Sequence, residues 1–149
     1  MLPNILRVVI LFWLMVVCLS SRSQDESLTV IGNKKGAPQQ MKLAELRSIM
    51  MGERQRWKDG NKIKIALMKT NTPIGINTCK KVYDMSEDEL KKFWLALVFQ
   101  GKADAPVFFN SPDELKSFVS ENEGAIGIVN VPVDNSAIQV VQIDGKKEF

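Results

Sequence analysis

The sequence predicts an α/β domain, a small mixed sheet flanked by helices, and three observations carry that expectation. First, Glu123-Gly124-Ala125-Ile126-Gly127-Ile128-Val129-Asn130 passes from a charged helix tail through a glycine into a continuously apolar run. Such a run reads as a strand covered on both faces. Second, apolar runs and apolar stripes at helical spacing follow in the order strand, helix, strand, helix, helix, helix, strand, strand. That order points to helices layered on a mixed sheet. Third, Ser86-Glu87-Asp88-Glu89 and Ser111-Pro112-Asp113-Glu114 are capping boxes, a serine followed three residues later by glutamate. At 149 residues, with 45% hydrophobic and 25% charged content, the chain suffices for one packed domain.

Leu28–Ile31, ending at Gly32, is the first expected strand. Asn33–Met41 carries Gly36, Pro38 and several polar residues and reads as a loop. Leu43, Leu46, Ile49 and Met50 recur at helical spacing until Gly52, with Lys42, Glu45 and Arg47 outside, so an amphipathic helix is expected there. The polar stretch Glu53–Asn61 holds Trp57 and the turn pair Asp59-Gly60. A tryptophan in such a loop folds back to cap the core with its indole nitrogen satisfied; stacking on a ligand is the alternative.

Ile63–Met68 suits a second strand, and Lys69–Pro73 a loop. Pro73 is tolerated in a first turn and opens a helix over Ile74–Met85, which Gly75 weakens. The helix begun at Ser86 carries the clearest apolar stripe, Leu90, Phe93, Trp94, Leu97 and Val98, and ends near Gly101. Pro106-Val107-Phe108-Phe109 forms an apolar centre in the Lys102–Asn110 loop, expected to be buried rather than turned to a partner. Leu115, Phe118 and Val119 face inward on the helix begun at Ser111. Gly124 takes the positive φ that ends that helix, and Gly127 marks a close approach to the central strand. Pro132 ends this strand, Ala137–Ile143 is the last one, and Asp144-Gly145 turns the chain into a polar tail.

Residues 1–23 differ in kind. Met1–Arg7 carries one arginine, Val8–Leu19 is almost wholly apolar, and Ser20, Ser21 and Ser23 place small residues at a cleavable boundary. This is a secretory signal pattern, shorter than the roughly 20 apolar residues of a spanning helix. Residues 24–149 are then the mature domain, periplasmic or otherwise extracytoplasmic, with no stable membrane insertion after cleavage. A membrane anchor is one alternative and lipid attachment at Cys18 another, although Val17 before it is not a small residue. Cleavage takes lysine plus arginine from 20 to 18 against 17 acids. A near-neutral domain has no nucleic-acid footprint. Cys79 alone remains, which excludes an internal disulfide and suggests a small buried apolar residue.

The absence of histidine excludes histidine triads, histidine bases and histidine metal sites together. No nucleophile elbow, Walker loop, Cys-x-x-Cys pair or dinucleotide glycine fingerprint occurs. Glu87, Asp88, Glu89, Asp113 and Glu114 sit at helix starts, where the dipole accounts for them. An enzyme is therefore not expected, and no cofactor is implied. One stretch suits a small anion. Lys69-Thr70-Asn71-Thr72 follows a strand and precedes a helix, joining backbone amides, hydroxyl donors and a cation. A helix cap by Thr70 or Thr72 and nothing more is the alternative.

Three passages, correctly ordered and spaced, carry a family resemblance. Leu43–Gly52 with Trp57-Lys58-Asp59-Gly60 resembles the L-x-x-I-F-x-G … W-x-D-G passage of the phosphate-type substrate-binding proteins of ABC importers. Phe93-Trp94 through Phe99-Gln100-Gly101 and Pro106 resembles their W-x-x-x-x-F-x-G … P passage, and Phe118-Val119 through Gly124-Ala125-Ile126-Gly127-Ile128 their V-x-x-x-x-G-A-I-G-Y passage. The similarity covers most of Leu28–Gly145 and is nearest to short, single-lobe members. It implies a single periplasmic-binding-protein-type lobe. It further implies a non-enzymatic solute binder that takes a small anion such as phosphate and partners a membrane permease. In the family two such lobes close on phosphate, and an arginine ends the strand before a Ser-Gly-Thr type turn. Here Met68 stands at the arginine's place, and Thr70-Asn71-Thr72 at the turn. Gly75 and Thr78 stand where short members carry an arginine and an aromatic residue. Thr70 and Thr72 carry over as hydroxyl donors. An envelope interaction or accessory protein that kept the lobe and lost the ligand is the second class considered.

Overall fold

The computed structural model describes residues 26–149. The signal segment expected at Met1–Ser23 lies outside them. Among the described residues no helix is long and apolar enough to cross a membrane. The elements are β1 (Thr29–Asn33), β2 (Gln40–Met41), α1 (Leu43–Met50), β3 (Lys64–Met68), α2 (Pro73–Thr78), α3 (Glu87–Phe99), β4 (Val107–Phe109), α4 (Pro112–Glu121), β5 (Ala125–Val129) and β6 (Ile138–Ile143). A π turn, Cys79–Tyr83, continues α2.

The six strands form one sheet in the order β2-β6-β1-β5-β3-β4. β1 runs antiparallel to both β5 and β6, and every other pairing is parallel. The expected mixed sheet flanked by helices is present, with β5 inside it between β1 and β3. Ala125, Ile126, Ile128 and Val129 are fully buried, as their unbroken apolar run requires. At Gly127 a Cβ would lie 2.7 Å from Leu115 Cδ2 and 3.1 Å from the Ala66 carbonyl oxygen. Glycine there lets α4 settle directly on the sheet.

Trp57 folds back as expected. It is 4% exposed, and its Nε1–H donates to the Gly124 carbonyl at 2.9 Å. The capping box at Ser86 is complete: Glu89 N donates to Ser86 Oγ at 3.3 Å, and Ser86 N to Glu89 Oε2 at 2.7 Å. A buried side chain that the sequence pattern does not single out is Asn33. Its amide donates to the carbonyls of Val119 at 2.9 Å and Ser120 at 3.1 Å, tying the end of β1 to the last turn of α4.

Several expectations are corrected. The first strand lies at Thr29–Asn33 rather than Leu28–Ile31. Leu28 instead exchanges both backbone hydrogen bonds with Phe149, so the polar tail returns to the body. The loop Asn33–Met41 ends in the two-residue β2. The single helix expected over Ile74–Met85 is α2 plus the π turn, closed by Asp84 at φ 53°. The apolar centre of the Lys102–Asn110 loop is the edge strand β4, not a buried turn. Pro106 is buried and Phe109 packs against Phe118, as expected of a buried segment, whereas Val107 is 43% and Phe108 36% exposed at the edge of the sheet. The stripe on α3 is narrower than its spacing suggests. Leu90 and Trp94 are buried and Phe93 and Leu97 pack partly buried against the core, whereas Val98 turns outward beside Leu95 and Phe99, which lie outside the stripe.

Candidate functional site

β3, β4 and β5 are parallel, so their carboxyl ends, at Met68, Phe109 and Val129, come out on one edge of the sheet. Open α/β sheets take ligands outside the carboxyl ends of their strands. The Lys69–Thr72 turn leaves from this edge. Its first amide, Lys69 N, donates to the Phe109 carbonyl at 3.0 Å and fixes the turn to the end of β4.

Thr72 is the N-cap of α2. Its hydroxyl donates to the Lys69 carbonyl at 2.7 Å and accepts from Gly75 N at 3.1 Å, while Thr72 N donates to the same carbonyl at 2.9 Å. Thr70 is buried, Thr72 half-buried, and Lys69 and Asn71 exposed. The structure thus gathers the four residues in one tight turn, with the Lys69 ammonium and the Asn71 amide outermost. Met68, the last residue of β3 before the turn, is buried.

Gly75 gives the turn its shape. A Cβ there would sit 2.0 Å from the Lys69 carbonyl oxygen and 3.0 Å from Thr70 Cα. The residue that weakens a helix by propensity is the one that lets the turn lie across its first residues. Helix-pattern reasoning misses this, because the cost of glycine is local and its benefit is a contact with the preceding loop.

Two carboxylates border the same edge. Glu114 Oε2 accepts from Asn110 N at 3.2 Å, one residue before the Ser111 cap, instead of closing the reciprocal bond to Ser111 N. Glu26 Oε2 accepts from Asn130 Nδ2 at 2.7 Å beyond β5. Both acids are held by neutral donors.

Little of the titratable chemistry is placed for acid–base work. Burial pushes the Cys79 thiol up, with Glu87 adding to the shift. Burial likewise raises the Tyr83 phenol, which the Trp94 side chain opposes in part. Tyr83 Oη and Trp94 Nε1 lie buried near one another but short of good hydrogen-bond geometry. Among the described residues no group of side chains suits a metal ion.

A sheet of this order, with a polar turn at the carboxyl ends of its parallel strands, has the architecture of a periplasmic-binding-protein-type lobe. Among solved structures the chain is similar to an ABC-type phosphate transport receptor from Vibrio cholerae, with a TM-score of 0.64, 15% identity, and coverage of 83% of this chain and 48% of that one. It is similar to PstS from Borrelia burgdorferi at a TM-score of 0.63 and 13% identity, over 80% of this chain and 48% of that one. A protein from Clostridium perfringens solved with phosphate bound matches at a TM-score of 0.59 and 17% identity, over 80% and 46%. The resemblance to phosphate-type binding proteins is therefore present in the fold. The chain spans about half the length of the solved structures it matches. No family model and no curated protein matches its sequence.

Proposed function

We propose that this chain is an exported, non-enzymatic solute-binding lobe for a small oxyanion of the phosphate type, and that the Lys69–Thr72 turn receives the ligand. The observation that carries the proposal is the place of this turn, which sets the Lys69 ammonium and the Asn71 amide outermost at the carboxyl ends of parallel strands. The fold likeness to a phosphate transport receptor and to a protein holding phosphate supports the choice of ligand. Extracytoplasmic location and delivery to an ABC permease follow from the same reading. Met68 stands where the phosphate-type binding proteins are expected to carry a guanidinium, and Lys69 beside it offers only a point charge, so weaker binding than in those receptors is expected.

Isothermal titration with phosphate, sulfate and other small oxyanions tests the proposal. Saturable heat that Lys69→Met weakens about tenfold supports it, in line with loss of one charge-assisted hydrogen bond. Flat traces at millimolar ligand end it.

A second reading is favoured by the turn's own bonding. Both hydrogen-bonding roles of the Thr72 hydroxyl are taken within the chain, Met68 is buried, and Val107, Phe108 and Phe99 are exposed. In this reading the lobe is an accessory protein that binds an envelope partner through its apolar surface. A pull-down from the envelope fraction separates the two: a partner lost on Phe108→Ser favours the second, and an unchanged set of partners argues against it.

A further inference from the structure

At the amino end of β3, a strand's length from the Lys69 turn, lies a half-open cavity of about 320 Å³. Its origin is topological. β4 begins late: its first paired residue, Val107, stands opposite Ala66 in the middle of β3. Lys64 and Ile65 therefore have no strand beside them on that side, and the chain crosses the gap with Ala103 and Ala105, whose side chains are too small to fill it. The interior is apolar, formed by Ile63, Ile65, Trp94 and Phe118.

The rim is cationic. Lys64 Nζ donates to the neutral Asn122 amide oxygen at 3.1 Å rather than to a carboxylate. Arg54 also lines the cavity; its Nε donates to the Arg56 carbonyl at 3.3 Å, and its Nη1 lies 3.7 Å from Glu45, which is not part of the lining. Lys62 is paired with Asp104, the single acid that lines the cavity. Three cations thus face one acid around an apolar interior. Concave, mainly apolar sites of roughly 300–1,000 Å³ with a few polar groups at fixed places are the usual form of small-molecule pockets.

We infer that this cavity binds a small organic anion with an apolar body, a carboxylate carried on a phenyl or branched alkyl group. The body lies against Trp94 and Ile65, and the carboxylate meets Lys64 and Arg54 at the mouth. Burial of the body contributes most of the affinity, because rim charges are partly screened by water. The ammonium and guanidinium select the acid over a neutral or cationic analogue.

The test is a titration of the full chain with phenylacetate and 3-methylbutanoate, against benzyl alcohol and benzylamine as neutral and cationic controls, followed by calorimetry and by intrinsic tryptophan fluorescence, to which Trp94 contributes. Saturable binding of the acids is expected, about tenfold weaker for the alcohol and absent for the amine. Lys64→Met is expected to weaken the acids about tenfold and Ala105→Phe, at the exposed mouth, to abolish binding, both with unchanged thermal melts. No saturation by the acids, an alcohol that binds as tightly, or binding indifferent to both variants overturns the inference. Phosphate titrated in parallel reports on the Lys69 turn alone, so failure at one place is distinguishable from failure at the other.

Discussion

The Gly124 carbonyl accepts two hydrogen bonds, from Trp57 Nε1 at 2.9 Å and from Lys64 N at 3.2 Å, while Gly124 N donates to the Lys35 carbonyl at 2.8 Å. One residue thus joins the Trp57 loop, the start of β3 and the turn after β1. Its φ of +76° and a Cβ position 2.3 Å from the Lys62 carbonyl oxygen leave glycine as the residue that fits. Trp57→Phe removes the indole donor but leaves Lys64 N on the carbonyl, so the acceptor is not orphaned. A loss of about 1 kcal/mol in urea denaturation is expected, without a change in slope. Gly75→Ala is a different experiment. The clash there is with backbone, which cannot rotate away, so a loss of about 1–3 kcal/mol is expected together with movement of the Lys69 turn. If Gly75→Ala melts like the wild type, the turn does not rest on α2 as described.

At the scale of the element, the caps decide where helices begin. Ser86 caps α3 and Glu89 returns the bond, and Ser86→Ala is expected to cost about 1 kcal/mol by thermal melting. The Ser86 backbone N–H, and after it the Ser86 hydroxyl, hold the Glu89 carboxyl below the usual carboxylate range. A carboxyl depressed in the folded state contributes stability that is present above its unfolded value, near about pH 4.3, and lost as pH falls through the lower folded value. Acidification below about pH 4.5 should therefore narrow the gap between wild type and Glu89→Gln; a constant gap from pH 7 to about pH 3 would contradict this. Both serine caps were legible in the sequence because a cap is a local code, but the return bond at Ser111 was not, since Glu114 reaches Asn110 N instead. α1 was legible to its ends, since Leu43, Leu46, Ile49 and Met50 repeat cleanly before Gly52. β2 and β4 were not, because two or three residues are too few to show a period of two. The outward turn of Val98 was hidden for the opposite reason: an apolar stripe records what a helix is able to bury, not what is there to cover it. The Lys69 turn was legible as a polar link between strand and helix. The internal use of the Thr72 hydroxyl and the dependence on Gly75 come from contacts across the turn, which spacing does not encode.

For the whole molecule, the sheet order sets a gradient of stability. β1 and β5 are buried along their length and each has a strand on both sides, whereas β2 pairs over two residues and β4 over three at the two edges. Local opening is drawn from elements with few buried apolar contacts and short ladders. Amides of β1 and β5 should therefore exchange with solvent only through global unfolding, while those of β4 exchange faster and independently of denaturant at low concentration. Cys79 supplies a second probe of the same gradient. It is 2% exposed, at the junction of α2 and the π turn, and burial pushes its thiol up. Both effects withhold the thiolate in the folded state, so labelling by a disulfide reagent at neutral pH requires opening. If the π turn belongs to the central unit, the free energy of opening from Cys79 labelling equals that from β5 exchange. A smaller value, matching β4 instead, would show that the helices over the Lys69 turn open as a separate unit, and with them the edge proposed to receive the anion.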